Sequence, residues 1–293
     1  MYAVIGATGN TGRATVRELQ ALGEDPLCVV RSPEKAREIL GADVRTVVAE
    51  ITDRAALQNA LTGIKRVFVV TGHNPQAGEQ QINILEAAKA AGVEFFVKVS
   101  GGRDVVGPDV ASIVGRGHHA VEEAMKHSGV PWCVLSPGLF MQNTFAQAAS
   151  IRNDGRLAQS FAKDLSVALI DVRDTGAVGA RVLRDPDRHA GKVYAFTGAT
   201  TTFQAFATVF SEVLGKPVAY VELSIEQAEA GMKSRHMPDW LIGHLVAIAR
   251  AGAGGAFSQE QTGPIREIVG RPPITTRQFV QDFKELFSGS DAS

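Results

Sequence analysis

Short apolar runs alternate with longer segments of helical spacing through the first half of the chain. The runs are rich in β-branched residues and lie near residues 2–5, 26–31, 44–49, 66–71, 94–100 and 131–136. Continuous apolar runs are typical of strands buried on both faces, and the segments between them have the spacing of amphipathic crossover helices. The pattern therefore predicts an α/β fold with a doubly wound parallel sheet.

The rhythm changes after about residue 144, where strand-like runs become sparse. Residues 167–170 and 193–196 still have the pattern of strands, and residues 174–183 between them have the spacing of a helix. Because that helix has the character of the first half, we expect the chain to return to the first domain there. The predicted domains are residues 1–150 with about 171–185 returning to them, and 151–293 as a mainly separate, smaller α+β region.

Local signals predict where several helices begin and end. Ser32 before Pro33 and Asp53 after Thr52 are helix-start patterns. Serine or threonine followed three residues later by glutamine predicts further starts at Thr201, Ser224 and Thr275. The last of these helices is predicted to place Phe279, Phe283 and Leu286 on one face. The glycine-rich residues 250–263 predict a mobile loop, and residues 288–293 a frayed end.

Composition and charge narrow the class of protein. The chain has 293 residues, 45% of them hydrophobic, without a long uncharged apolar run that would predict a membrane span. Lys plus Arg number 30 and Asp plus Glu 31, so no broad positive field for nucleic acid is expected. The start of the chain lacks the pattern of a secretory signal, and we expect a cytoplasmic protein in which Cys28 and Cys133 are buried, reduced thiols.

The first strand is followed at once by three glycines at three-residue spacing. The turn comprises Gly6, Thr8, Gly9, Asn10, Thr11 and Gly12. In a strand–turn–helix context, glycine allows a tight turn, a close approach of phosphate to the backbone and close packing of the helix on the strand. The free N–H groups of the helix then face a pyrophosphate. This placement predicts dinucleotide binding, and the alternative is a simple glycine turn.

A cation follows the second strand. Arg31 stands where a fold selective for NAD ordinarily places an acid that binds the adenosine ribose. An arginine there can bind a 2′-phosphate with its planar fork, which predicts NADP(H) as the cofactor. Lys35 and Arg13 are further candidates for the same phosphate, and the alternative for all three is a solvated surface cation.

Five segments carry a resemblance to a known family. They are "IGATGNTG", "VVRSPEKA", "VKVSGG", "VEEAMKHSGVPWCVLSPGLFMQN" and "IDVRDTGAVGARVL". Together they resemble the NmrA-like branch of the atypical short-chain dehydrogenase/reductases. The resemblance implies a Rossmann-like NADP-binding domain and a smaller C-terminal substrate domain. It also implies an NAD(P)H-dependent reductase of quinones, azo dyes or triphenylmethane dyes, or a regulator that binds dinucleotide without turnover.

The resemblance also implies cofactor-site residues at the ends of successive strands. Glu50 and Ile51 follow the third strand, Thr71 and Gly72 the fourth, and Ser100 the fifth. Pro137, Gly138 and Phe140 follow the sixth strand, and Asn143 begins the next helix. These positions agree with the rule that open parallel sheets bind ligands beyond the carboxyl ends of their strands.

The catalytic motif of many short-chain dehydrogenases is missing. None of Tyr2, Tyr194 and Tyr220 is followed by lysine at the Tyr-x-x-x-Lys spacing. Alignment by resemblance puts Val114 at the tyrosine position and His118 at the lysine position. We expect Ser100 and His118 to be the catalytic candidates: Ser100 as a hydrogen-bond donor, and His118 as a ribose ligand or proton carrier. The alternative for His118 is a polar residue near a helix start.

The missing tyrosine favours a particular kind of reaction. Quinones, conjugated imines and azo compounds stabilise their own reduced charge, so hydride transfer to them needs little acid catalysis. We therefore expect NADPH-dependent hydride transfer to a small conjugated or aromatic acceptor, without a metal. The alternative is an NADP(H)-binding redox sensor. Expected partners are a small-molecule substrate and either a second copy or another protein, with neither nucleic acid nor membrane.

Overall fold

The structure, a computed structural model, describes residues 1–289, and the chain forms two compact units. The first unit consists of Met1–Pro137, Val172–Ala195 and Pro264–Arg271. The second consists of Gly138–Asp171, Phe196–Gly263 and the described part of Pro272–Ser293. The sequence pattern changes after about residue 144 and predicts a first domain that ends near residue 150, whereas the first unit ends at Pro137, because the residues that follow join a different sheet.

The elements are numbered here in chain order. Those up to Pro137 are β1 Tyr2–Ile5, α1 Asn10–Ala21, β2 Leu27–Val30, α2 Pro33–Leu40, β3 Thr46–Val48, α3 Arg54–Ala60, β4 Arg66–Val69, α4 Ala77–Ala90, β5 Phe95–Val99, the 3₁₀ helix Arg103–Val105, α5 Ile113–His127 and β6 Trp132–Pro137. Those that follow are β7 Leu139–Phe140, the 3₁₀ helix Met141–Gln147, α6 Ala148–Asp154, β8 Arg156–Gln159, β9 Val167–Ile170, α7 Val172–Arg184, α8 Pro186–His189, β10 Lys192–Phe196, β11 Thr200–Thr201, α9 Phe203–Leu214, β12 Ala219–Glu222, α10 Ile225–Ser234, α11 Asp239–Ala253, α12 Gly263–Val269, α13 Thr276–Asp282 and α14 Lys284–Ser288.

A seven-stranded sheet forms the centre of the first unit. Its strand order is β10-β6-β5-β4-β1-β2-β3, and β1 to β6 pair in parallel. From β1 the sheet continues through β2 to β3 on one side, and from β4 through β5 to β6 on the other. An open α/β sheet binds ligands where the strand order reverses in this way, at the carboxyl ends of β1 and β4. The predicted doubly wound parallel sheet is confirmed.

Glycines let two pairs of helices approach closely. A Cβ on Gly176 of α7 would lie 2.7 Å from the Cβ of Ala14 in α1. A Cβ on Gly78 of α4 would lie 2.9 Å from the Cα of Gly117 in α5. Side chains at either glycine would push the helices apart, so these contacts fix α1 against α7 and α4 against α5.

The helix starts follow the predicted capping chemistry with one shift. Ser32, Asp53 and Thr275 accept hydrogen bonds from the third helical N–H, and Ser224 with Gln227 forms a complete capping box. The prediction of Thr201 as a cap is wrong. Thr201 pairs with Val167 in a short β-ladder, so the next residue, Thr202, caps α9 by accepting from the N–H of Ala205.

The second unit combines short sheets with an aromatic core. Strands β11, β9 and β7 form one small sheet, and β12 pairs in parallel with β8. Phe145 stacks on Phe279 with ring centroids 5.8 Å apart, and Phe210 contacts Phe287 edge-on at 4.7 Å. These ring contacts pack the 3₁₀ helix Met141–Gln147 on α13, and α9 on α14.

Two predictions for the C-terminal region need correction. Leu286 is 41% exposed and the fully buried residue is Phe287, because the helix breaks at Phe283 and its phase changes. Residues 250–253 belong to helix α11 rather than to a loop. Of the predicted frayed end, residues 290–293 lie outside the described residues.

The thiols and the helices bear on two further expectations. Cys28 and Cys133 are both buried and free, as predicted. Within residues 1–289, every helix is too short or too polar to cross a membrane.

Candidate functional site

The glycine turn after β1 is required by packing at two of its three glycines. Gly6 has φ +85°, and a Cβ on it would lie 1.7 Å from the carbonyl oxygen of Val70. A Cβ on Gly12 would lie 2.1 Å from the carbonyl oxygen of Gly6. Only glycine fits at these two positions, since both contacts are with backbone atoms.

The middle glycine is different. Gly9 has φ −78°, which any residue can adopt, and a Cβ on it would come no closer than 3.5 Å to another part of the protein. Packing and backbone geometry therefore do not require glycine there. Gly9 is exposed and is the N-cap of α1, and no side chain caps the first N–H groups of the helix. Of the predicted neighbours, Thr8 is half-buried, Asn10 exposed and Thr11 buried.

Two cations lie near the end of β2. Arg31 and Lys35 are exposed, and neither side chain has a hydrogen-bond or ion-pair partner within residues 1–289. Arg31 precedes the N-cap Ser32, whose Oγ accepts the N–H of Lys35, so Lys35 lies in the first turn of α2. Arg13 reaches Asn10 with Nη2 at 3.5 Å from Oδ1. The geometry leaves the Arg31 guanidinium available to an anion.

The residues predicted after β3 and β4 lie at the same edge of the sheet. Glu50 is exposed, and the carbonyl oxygen of Ile51 accepts a 2.8 Å hydrogen bond from Asn83. Thr71 Oγ1 accepts a 2.8 Å hydrogen bond from the buried Gln81, so its own hydroxyl hydrogen is available to donate. A Cβ on Gly72 would have no neighbouring atom within 4 Å among the described residues, so this glycine lies beside open space.

Ser100 belongs to a buried network at the end of β5. Its Oγ donates to Glu122 Oε1 at 2.5 Å, and Glu122 also accepts two hydrogen bonds from Arg103, at 2.7 and 2.8 Å. Arg103 donates in addition to Ser136 on β6 at 2.8 Å. The network joins β5, β6 and α5, and the single hydroxyl hydrogen of Ser100 is directed at Glu122.

Lys98 and His118 form a second contact on the same face of the sheet. The Lys98 side chain is fully buried, and its Nζ lies 2.9 Å from His118 Nδ1 and 3.2 Å from the carbonyl oxygen of Val99. His118 is half-buried, and its ring lies edge-on to that of His73 with 6.2 Å between centroids. The amine of Lys98 and the imidazole of His118 therefore meet near the carboxyl end of β5.

The local charges shift two pKa values. Burial raises the pKa of Glu122, but hydrogen bonds from Arg103 and Ser100, with the charges of Arg103 and Lys98, outweigh it and lower that pKa below the ordinary range. Burial lowers the pKa of Lys98 to about 7; Glu122 opposes this shift and Arg103 adds to it. Glu122 is therefore a stable carboxylate, whereas Lys98 can change protonation near neutral pH.

The remaining predicted residues are divided between the two units. Pro137 ends β6 in the first unit, whereas Gly138, Phe140 and Asn143 belong to the second. A Cβ on Gly138 would lie 2.8 Å from Thr197 Cγ2, so packing in the second unit accounts for this glycine. Phe140 is half-buried in β7 and Asn143 is exposed.

Sequence reasoning missed Lys98, Glu122 and Arg103. A signal for the first exists, because Lys98 interrupts an apolar run that predicts a strand buried on both faces, and a buried amine needs a partner. Glu122 stands four residues after His118 in a predicted helix, so the two share a face. The part played by Arg103 depends on a 3₁₀ turn for which the sequence has no clear signal.

The residues present fit a dinucleotide phosphorylated on its adenosine ribose. The turn at Gly9 leaves a space that a Cβ would enter, with helix N–H groups suited to a pyrophosphate. Arg31 offers an unpaired cation at the neighbouring strand, and an acid is not found at that position.

Comparison with known proteins shows the family to which the chain belongs. The model of the NmrA-like family matches residues 2–258. The chain is 32% identical over 289 residues to (4-alkanoyl-5-oxo-2,5-dihydrofuran-3-yl)methyl phosphate reductase of Streptomyces griseus subsp. griseus, over 98% of this chain and 99% of the relative. It is 31% identical over 296 residues to NAD(P)H azoreductase of Xenophilus azovorans, over 99% of this chain and all of the relative. The crystal structure of the NADPH-dependent quinone oxidoreductase of Escherichia coli complexed with NADPH matches with a TM-score of 0.84 and 27% identity, over 97% of this chain and 100% of that chain.

The fold and the glycine turn define a Rossmann-like α/β protein of the short-chain dehydrogenase/reductase type. Within that class, the chain belongs to the NmrA-like family. The family predicted from the sequence motifs is confirmed.

Proposed function

We propose that this protein is an NADPH-dependent reductase that transfers hydride to a small conjugated or aromatic acceptor of the quinone or azo type. The observation that carries the proposal is the presence of two features together, one at Gly9 and one at Arg31. Gly9 is exposed and keeps the N-terminus of α1 free of a side chain, and Arg31 has no protein partner within residues 1–289. A pyrophosphate and a 2′-phosphate satisfy these two features together.

The acceptor class follows from the chemistry that the relatives share. Azo compounds, quinones and an unsaturated oxo-dihydrofuran ring, named in the relatives' activities, are all conjugated. A conjugated acceptor delocalises the charge that hydride brings, so its reduction needs only modest proton assistance. This matches a chain that lacks the tyrosine acid of many dehydrogenases.

Each of the predicted site residues has a separate task in this reaction. Bound NADPH supplies the hydride. The turn formed by Gly6, Thr8, Gly9, Asn10, Thr11 and Gly12 holds the pyrophosphate, and Arg31, with Lys35, holds the 2′-phosphate. Glu50, Ile51, Thr71 and Gly72 line the path of the cofactor, with Pro137, Gly138 and Phe140 assigned to the nicotinamide end. His118 provides a proton, and Ser100 fixes Glu122 and the end of β5 beside it.

Further features of the proposal concern the second unit and the cell. We assign acceptor binding mainly to the second unit, where the half-buried ring of Phe140 offers a stacking surface. A homodimer or a protein partner stays a prediction. Two buried free thiols suit the reducing cytoplasm, which we propose as the location.

An acceptor panel tests the proposal. NADPH is mixed with the protein and, in turn, a quinone, an azo dye and a conjugated enone, and loss of the reduced nicotinamide absorbance is followed. Oxidation that requires both protein and acceptor is the expected result. Tight NADPH binding without oxidation for any acceptor would contradict the reductase and favour a redox sensor.

A further inference from the structure

The contact between Lys98 and His118 restricts which nitrogen atoms of the two side chains can carry hydrogen. Nζ of the fully buried Lys98 lies 2.9 Å from Nδ1 of His118, so one of these nitrogens must donate to the other. Strand pairing with Val69 and Val134 fixes the backbone of Lys98 in the middle of the sheet, and its side chain is held there by packing. Nδ1 of His118 is therefore held by a hydrogen bond with a buried, immobile residue.

The opposite side of the imidazole lies at the end of the sheet. A Cβ on Gly101, just after β5, would lie 3.4 Å from Cδ2 of His118, the ring carbon bonded to Nε2. When the pair carries one positive charge, the proton lies between Nζ and Nδ1 whichever nitrogen holds it. Nε2 then bears hydrogen in both forms, since the imidazole is either the Nε2–H tautomer or the imidazolium.

We propose that Lys98 is a positioning residue for proton delivery, which keeps Nε2 of His118 protonated and supplies Nδ1 with a proton as Nε2 gives its own away. The inference rests on the proposed reductase function and deepens it by naming the source of the proton. His118 is the group that contacts the acceptor, and Lys98 acts only through it.

The proton step balances with the hydride. The reduced acceptor anion takes the proton from Nε2 of His118, and the N–H bond there breaks. Nδ1 takes or keeps the proton shared with Nζ, so Lys98 ends as a neutral amine and His118 as the neutral Nδ1–H tautomer. The pair changes from one positive charge to none, and a proton from water, taken up at Nε2, restores the charge.

The surroundings suit a pair that gives up a proton at neutral pH. The titratable and charged groups that face it are Glu122 from α5, Arg103 from the 3₁₀ turn and His73 from the loop after β4. Burial lowers the pKa of Lys98 to about 7, with Glu122 opposing and Arg103 adding to the shift. A donor with a pKa near the working pH is the most effective general acid.

Nuclear magnetic resonance of the protein without cofactor tests the pair directly. Long-range 1H–15N correlations of the histidine rings report the tautomer of His118, assigned by loss of its signals in His118→Gln. Just below neutral pH, we expect Nε2 to carry hydrogen and Nδ1 to be hydrogen-bonded. In Lys98→Met, which keeps a long buried side chain without a donor, that restraint should disappear. A His118 signal in the wild type with hydrogen on Nδ1 only and a bare Nε2 would overturn the inference.

Kinetics provides the second arm. In the wild type, kcat should be constant at acidic pH and fall as the pH rises through about 7, because the charged pair is then lost. Lys98→Met should lower kcat by about a hundredfold and move this fall in the pH profile, with NADPH affinity unchanged. His119→Gln, on the next residue of α5, is the matched control and should behave as the wild type. Equal kcat and pH profile in Lys98→Met would overturn the inference while leaving the reductase in place. If no acceptor is reduced at all, the reductase fails, and the tautomer experiment still decides the pairing.

Discussion

Gly6 packs against Val70: a Cβ on Gly6 would lie 1.7 Å from the carbonyl oxygen of Val70. Gly9, three residues later, has room for a Cβ. The two glycines thus serve different purposes in one turn. Gly6 joins β1 to the end of β4, and Gly9 keeps the space in front of α1 clear.

This contrast predicts that alanine at Gly6 lowers stability, whereas alanine at Gly9 weakens NADPH binding. Gly6→Ala should lower the free energy of unfolding by about 2 kcal/mol or more, because φ is +85° and the carbonyl must move. Gly9→Ala should fold with stability close to the wild type, yet bind NADPH at least about tenfold more weakly. Urea unfolding and calorimetric titration measure the two quantities. Normal NADPH binding by Gly9→Ala would show that its open space is not the pyrophosphate site.

The unpaired guanidinium of Arg31 predicts a cofactor preference. A charged hydrogen bond is worth about 1.5–3 kcal/mol, so Arg31→Ala should weaken NADPH binding by about tenfold to a hundredfold. NADH binding should change little, since NADH lacks the 2′-phosphate. Arg37→Ala, at an exposed arginine of the following helix α2, is the control. Equal losses for both cofactors would remove Arg31 from the phosphate site.

The buried carboxylate of Glu122 predicts a stability change that depends on pH. Glu122→Gln removes a charged partner of Arg103 and should cost about 2 kcal/mol of unfolding free energy at neutral pH. Because the folded-state pKa of Glu122 is lowered, its contribution is complete above the ordinary pKa and is lost as the pH falls through the folded value. The difference between variant and wild type should therefore shrink in acid.

The neighbouring Glu123 supplies a matched control for that experiment. It pairs with Lys126 on the surface, so Glu123→Gln should leave stability nearly unchanged. Denaturant unfolding at several pH values measures both variants. A loss in Glu122→Gln that stays constant into acid would mean that the carboxylate charge does not stabilise the fold.

The two thiols predict a difference in reactivity between the folded and unfolded chain. Burial raises the pKa of Cys28 to about 12 and that of Cys133 to about 12. The native protein should therefore not react with Ellman's reagent at neutral pH, whereas the unfolded chain should titrate two thiols. Rapid reaction of a native thiol would show that one of these strands opens readily.

The inner strands of the central sheet could be predicted because they are largely buried on both faces. A strand such as Leu27–Val30 is then a continuous apolar run in sequence, and the glycine turn after Ile5 has a fixed local meaning. The C-terminal helices were harder. A break at Phe283 between α13 and α14 changes the phase and buries Phe287 instead of Leu286, and no glycine or proline marks that break.

Part of the candidate site could likewise be predicted from the sequence, and part could not. Gly9 and Arg31 could be proposed as site residues from the sequence because the roles assigned to them depend on their position after a strand. The Lys98–His118 and Ser100–Glu122 contacts join residues 20 and 22 positions apart, and they form only when α5 packs on β5. Sequence periodicity predicts which residues share one face of a helix or strand, but it does not predict which side-chain atoms of two different elements come into contact.

Isothermal titration calorimetry of the wild type with NADPH, compared with NADH, tests the central claim most directly. The account predicts saturable heat with one NADPH per chain and weaker binding of NADH, since only NADPH engages both the turn at Gly9 and the guanidinium of Arg31. No heat with NADPH would contradict the account, as would binding of NADH at equal strength.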